Sequence, residues 1–435
     1  MFHRVYQVRF LSPIDPREPI RMNEQSLFTA ALGLSAPWEV ASVQFDQEQG
    51  RIDFKLKFRR GAKFSCTACG LEGQSIHDTR SRTWRHLNFF QYEAYIHADI
   101  PRTKCTACSK VSQVPVAWAS SGSGFTLLFE ALVLTLCRVM PVNSVANLLC
   151  VGADALWVIL KRHVTQARRQ EDFSKVRRVG IDETASRRGH NYITLVHDMD
   201  ARRLIFGCSG RDQETITSFV KDLKAHQGDP LVINAACIDM SKAYIAGVSK
   251  QLPNADITFD PFHIIQLANQ ALEIVRRDEV KHEPILKKSR WVWLKDQSKW
   301  SVKQSNLFKS LPKTRLLTAR AWRLKQSLRE LFQTAQNSSE AALLFDAWYS
   351  WARRCRLAPF KRLATTLLSH RQGILNGFDS GLSNGYVEGA NSLIQAAKAK
   401  ARGYRQSENM ITIAYLLLGK LEHLPCSPFN TRCSV

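Results

Sequence analysis

Between residues 178 and 280 the apolar pattern switches repeatedly between the period of a strand and the period of a helix, and that order restricts the fold more than any other feature. Residues 178–184, 191–198 and 202–208 read as strands, the last two joined by the turn "DMDARR". A helix at 212–226, a strand at 231–238, a helix at 241–251, a strand at 255–260 and a helix at 262–280 follow. Three meandering strands are thus continued by strands that alternate with helices. That is the pattern of a mixed sheet with helices packed on it.

This is also the order of an RNase H-like sheet, and its acids fall at strand ends. Asp182 follows the apolar run "VGI", and Asp239 follows "LVINAACI". If those strands are parallel neighbours, both acids project at one sheet edge, where open α/β sheets place their sites. An acid on a buried strand is costly unless it is paired or bound to a metal. A third acid, Glu388, is the only carboxylate in "SNGYVEGANSLIQAAKAKARGYR", residues 383–405. It sits three residues into an expected helix at 385–402, ahead of Lys398, Lys400, Arg402 and Arg405. Three oxygen donors without His or Cys suit Mg²⁺ or Mn²⁺. Two such ions clamp the attacking and leaving oxygens of a phosphodiester displacement. The basic strip suits a phosphate backbone. In the simpler reading, Asp182 and Asp239 are caps and Glu388 is a carboxylate favoured by the helix dipole. Asp260, in "FDPFHII", reads as a helix cap near the site, and His263 as structural or substrate-facing. Glu183 points to the opposite face of a regular strand.

The charge agrees with a polyanionic partner. Against 38 Asp and Glu stand 61 Lys and Arg, a formal net charge of +23 on 435 residues. With 45% hydrophobic residues the chain can bury real cores, and its length suggests two to four domains. No apolar run is long enough to span a membrane. The first residues, "MFHRVYQVRFLSPIDP", carry Arg4 and Arg9 and do not read as an export signal, so a cytoplasmic, DNA-associated location is expected.

Eleven cysteines in such a chain argue for reduced thiols and a metal site. Cys66 with Cys69 and Cys105 with Cys108 form two "CTAC" pairs, and four thiolates suit a closed structural Zn²⁺ site. "YEAYIHADI" between the pairs reads as a strand. His77 or His86 could replace one Cys, and a redox motif or two unrelated pairs are the alternatives. Upstream, residues 38–58 read as two strands around a Gln-Gly turn.

"MPVNSVANLLCVGADALWVILKRHV", from Met140, places Val145, Leu149, Val151, Leu156 and Ile159 at the spacing of two helices packed across a short turn, with Ala146 allowing close approach. Asp154 is expected to cap the second helix, which carries Lys161 and Arg162 toward DNA. Cys150 stands where a Gly often does, and a plain helical hairpin is the alternative. Residues 284–375 read as basic and helical, with six of the ten Trp, which either form core or stack on unpaired bases. A last apolar helix is expected near 408–422.

Four segments carry a resemblance: "GIDETASRRGHNYITLVHDMD", "ACIDMSKAYIAGV", "DITFDPFHIIQLANQALEIVRR" and the Glu388 segment with its EGxN core (Glu388, Gly389, Asn391) and GYR end. They resemble the ISL3 family of bacterial insertion-sequence transposases, over nearly the whole chain. Pro261 and the Ala397/Ala399 positions depart from the residues common in the family. The resemblance implies a multidomain α+β and α/β chain. Its parts would be a small mixed region (1–60), a zinc-binding module (61–118), a helix-turn-helix (125–168), an RNase H-like DDE domain (173–283 and 376–424) and an all-helical insertion (284–375). It implies that Asp182, Asp239 and Glu388 are the DDE triad, with Asp182 bridging two Mg²⁺ ions and each other acid holding one. Terminal inverted repeats and target DNA would be the partners, in at least a dimer. The rival expectations are a non-enzymatic zinc and helix-turn-helix regulator and an RNase H-like nuclease.

Overall fold

The computed structural model describes residues 23–428 except 188, 190, 313, 314, 383 and 384. The reading of the first residues as lacking an export signal lies outside that range. The chain divides into two compact units, Met1–Thr135 with Pro425–Val435, and Leu136–Leu424.

In the first unit, α1 (Glu24–Ala31) begins where Asn23 accepts the Ser26 N–H at 2.7 Å. β1 (Trp38–Asp46) and β2 (Arg51–Phe58) form the expected hairpin, turning at Gly50 with φ +63°. β3 (Ile76–Arg85), β4 (Glu93–Lys104) and β5 (Val111–Gln113) follow. The strand order is β1-β2-β4-β3, with β5 on β4. β2 and β4 pair in parallel from Arg51 beside Glu93 to Leu56 beside Ala98. Residues before and after position 60 therefore share one sheet, where two segments had been expected to meet. Strand alternation sends Ile52, Phe54, Leu56, Ile96 and Ile100 inward. Trp118 closes this core edge-on against Trp38 and Trp84, ring centroids 5.0 and 5.7 Å away.

α2 (Leu127–Cys137) leads into the second unit, where α3 (Val142–Leu148) and α4 (Ala153–Arg168) turn through 119°. The expected cap is corrected here. Gly152 is the N-cap of α4, and Asp154 is exposed in its first turn, acting on the helix through charge. Val145, Ala146, Leu156 and Ile159 are buried. Arg168 at the end of α4 donates to Asp222 at 2.7 Å and to the Ile205 carbonyl at 2.7 Å.

β6 (Arg178–Arg187), β7 (Asn191–Asp198) and β8 (Arg203–Ser209) form an antiparallel meander. α5 (Gln213–Ala225), β9 (Ala235–Ile238), α6 (Lys242–Gln251), β10 (Asp256–Phe259) and α7 (Pro261–Glu279) complete the order β10-β9-β6-β7-β8, with β9 and β10 parallel to β6. The strand expected at 231–238 begins only at Ala235. Asp229 and Pro230 start a short 3₁₀ turn, Pro230–Val232, that leaves Leu231 exposed.

α8 (Arg290–Leu294), α9 (Val302–Ser310), α10 (Leu317–Thr334), α11 (Ser338–Arg354), α12 (Ala358–Ser369) and α13 (Arg371–Ser380) form the helical region. Its buried side chains, among them Trp293, Phe345, Trp348 and Phe360, join those of the sheet and α7 in one apolar cluster. Trp291 and Trp351 stay exposed. α14 (Gly385–Lys400) and α15 (Ser407–Leu418) end the unit. Among the described residues no single helix is long and apolar enough to cross a membrane.

Candidate active site and metal centre

The parallel register explains how two distant acids become neighbours. Gly180 on β6 lies beside Cys237 on β9, an offset of 57 residues, which is also the offset between Asp182 and Asp239. Carried two residues on, that offset sets Asp239, just past the end of β9, beside Asp182. The expectation that Asp182 ends its strand is corrected: it lies in the middle of β6, which runs on to Arg187 paired with β7 alone. Asp182 Oδ1 accepts the Glu183 N–H at 2.8 Å, and Asp239 Oδ1 accepts the Ser241 N–H at 2.9 Å.

α14 supplies the third acid and is fastened to β6 by one face. Asn391 Nδ2 donates to Asp182 Oδ2 at 2.7 Å. Gln395 Nε2 donates to Thr184 Oγ1 at 2.7 Å and to the Ala185 carbonyl at 2.9 Å, and Lys398 Nζ donates to the same carbonyl at 2.7 Å. Residues 388, 391, 395 and 398 are spaced three, four and three apart, one face of a helix. Sequence reasoning gave Asn391 and Gln395 no role and Lys398 a different one. The period was the signal available.

Asp182 and Glu388 are held toward their protonated forms. Burial, then the charge of Asp239, raises the Asp182 carboxyl, against the pull of the Glu183 N–H and His263. Burial, then the facing Asp260, pushes Glu388 up to about 7. Burial also raises Glu183, which faces away from α14 toward Arg211, 3.6 Å distant. Glu388 Oε1 is buried without a hydrogen-bond partner. The acids do not all approach within 4.8 Å of one another, as the four thiols of the first unit do. Hard carboxylate oxygens, one of them buried and orphaned, fit a divalent cation.

The basic residues separate into two groups. Lys400, Arg402 and Arg405 are exposed. Lys398 is engaged with β6, so its amine positions the helix. On α4, Lys161 and Arg162 are both half-buried, and two guanidinium nitrogens of Arg162 are buried.

In the first unit, the thiols of Cys66, Cys69, Cys105 and Cys108 converge. Cys66 Sγ lies 3.8 Å from Cys108 Sγ, and Cys69 Sγ 3.5 Å from Cys105 Sγ. Tetrahedral zinc at ~2.3 Å from each sulfur sets them ~3.8 Å apart, so the set fits zinc. The knuckles fold alike: Gly70 N–H reaches the Cys66 carbonyl and Ser109 N–H the Cys105 carbonyl, with φ +78° and +58°. Backbone N–H groups of Cys69 and Ala68 draw the Cys66 thiol down to about 6, and those of Cys108 and Ala107 lower Cys105. His86 instead contacts Thr126 Oγ1 at 2.9 Å.

Comparison with known proteins places this architecture among DNA transposases. Residues 179–414 match a family described as transposase, residues 62–108 the zinc-finger of transposase IS204/IS1001/IS1096/IS1165, and residues 113–164 the helix-turn-helix domain of transposase family ISL3. The first match alone spans more than half of the chain, so the chain belongs to the ISL3 transposase family. A transposase for insertion sequence element IS1557 of Mycobacterium tuberculosis is 29% identical, covering 94% of this chain and 98% of the relative. A transposase for IS1001 of Bordetella parapertussis is 26% identical, covering 87% of this chain and 94% of the relative.

Proposed function

We propose that this chain is the DDE transposase of an insertion sequence, binding the element's terminal inverted repeats, hydrolysing a phosphodiester at each end and joining the freed 3′-OH to target DNA. The observation that supports the reading is the register that sets Asp239, at the end of β9, beside Asp182 on β6, with Glu388 on a helix fastened to β6. The order β10-β9-β6-β7-β8, with a three-stranded meander and two parallel strands, supports an RNase H-like catalytic domain. Residues 284–375 then form its helical insertion.

Asp182, Asp239 and Glu388 would hold divalent ions, Mg²⁺ or Mn²⁺, which supply Lewis-acid stabilisation of the scissile phosphate. Asn391 and the Glu183 N–H occupy one oxygen each of Asp182 and fix the plane of its carboxylate. Gln395 and Lys398 set the height of Glu388 above the sheet edge. The exposed Lys400, Arg402 and Arg405, on and just beyond the same helix, would track the phosphate backbone. No covalent bond between protein and DNA is required. Zinc held by Cys66, Cys69, Cys105 and Cys108 would stabilise the first unit, and α4 would enter a DNA groove. Two transposon ends must be brought together, which calls for at least a dimer.

The test is incubation of the protein and Mg²⁺ with a labelled terminal repeat and a target plasmid. Cleaved ends and joined products are expected. Specific binding without either product would make the chain a regulator, and cleavage without joining a nuclease.

A further inference from the structure

Asp260 closes β10 as Asp239 closes β9. Ile238 lies beside Phe259 in their parallel register, so Asp239 and Asp260 stand side by side one residue on. Asp182, Asp239 and Asp260 thus form one row across three neighbouring strands. Asp260 is only 3% exposed. Its Oδ1 accepts the Phe262 N–H at 3.2 Å and caps α7. Its Oδ2 is buried and has no hydrogen-bond partner. Asp260 lies near enough for its charge to help raise the Glu388 carboxyl, and Glu388 Oε1 is likewise buried without a hydrogen-bond partner. His263, on the next residues of α7, buries an Nε2 that is also without a partner. A cap uses one acceptor oxygen, and Asn or Ser would serve. The second oxygen and the full charge of Asp260 have no role in the cap, and a buried carboxylate oxygen with no donor is costly unless a cation lies against it.

We propose that Asp260 is a fourth carboxylate of the cation site, its Oδ2 and Glu388 Oε1 holding one divalent cation between them while its Oδ1 caps α7. The inference rests on the reading of Asp182, Asp239 and Glu388 as metal ligands. It gives Asp260 two tasks, one per oxygen, and anchors the cation between the start of α7 and the first turn of α14.

Mn²⁺ binding to the full-length protein, followed by calorimetric titration, tests this without reference to activity. The proteins compared are wild type, Asp239→Asn, Asp260→Asn and Asp260→Ser, each with a thermal melt as the check on folding. Asn and Ser both retain a capping acceptor at position 260 and remove the charge. The expected result is a loss of Mn²⁺ affinity of at least about 10-fold in both position-260 variants, the lower end of what disturbing a metal's surroundings costs. Wild-type affinity in either folded variant, with affinity lost in Asp239→Asn, would overturn the inference and leave the metal-site reading standing. Absence of Mn²⁺ binding to the wild type would overturn both.

Discussion

Cys150 shows how a single backbone angle limits a helix pair. It sits in the turn between α3 and α4 with φ +52°, a conformation that costs an L-residue roughly 1–2 kcal/mol. Cys150→Gly removes that strain and gives some of it back as unfolded-chain entropy, so a net stabilisation of about 1 kcal/mol is expected in chemical denaturation. His197 acts through its proton. It is fully buried on β7, both ring nitrogens lack partners, and burial pushes it down to about 4 from 6.5. The unfolded chain takes up this proton first. The stability tied to neutral His197 is therefore complete above pH 6.5 and is lost as pH falls toward 4, by about 3 kcal/mol. His197→Phe is expected to flatten that acid limb in melting temperatures taken between those two values. An acid limb unchanged by the substitution would mean that other groups dominate it.

At the scale of elements, α14 carries two kinds of cation. Lys398 points to a β6 carbonyl, whereas Lys400 and, beyond the helix end, Arg402 and Arg405 are exposed. Lys398→Ala is expected to loosen the helix and lower DNA cleavage while leaving the salt dependence of DNA binding unchanged. Replacing Lys400, Arg402 and Arg405 with Ala is expected to flatten the plot of log K against log salt by roughly 0.9 per lost phosphate contact. Equal slopes in both variants would erase the distinction. The sequence showed this helix and its lone acid clearly, because apolar period and charge are local properties. It did not show which lysine faces the sheet, since that depends on the rotation of α14 about its axis. The same rotation decides how Lys161 and Arg162 lie on α4, where two guanidinium nitrogens of Arg162 are buried. Asp260 was legible as a strand-end acid like Asp239, but only the β9–β10 register reveals that the two are neighbours.

For the molecule as a whole, strand and helix order could be read from period, and the acid row followed once the strands were taken as parallel. The pairing of β2 with β4 could not be read. It joins residues more than forty positions apart, and strand periodicity carries no record of its partner. That pairing makes a prediction about zinc. Cys105 follows β4 directly, so chelation or Cys105→Ser is expected to loosen β4 and, through it, β2. Faster hydrogen exchange should appear at residues 51–58 as well as 61–118, together with loss of the footprint on the terminal repeat. Exchange confined to the knuckles would mean that the sheet stands without the metal.

Asp182, Asp239 and Glu388 are proposed as the catalytic metal site of a DNA-cleaving transposase. Asp182→Asn, Asp239→Asn and Glu388→Gln each remove one charge with little change of shape. The most direct measurement is the cleavage rate of each variant in Mg²⁺ beside its gel-shift affinity for the terminal repeat in the same buffer. Cleavage is expected to fall by several orders of magnitude in all three, as where electrostatic positioning supplies most of the rate, with binding preserved. Wild-type cleavage in Glu388→Gln, or loss of binding in all three, would contradict it.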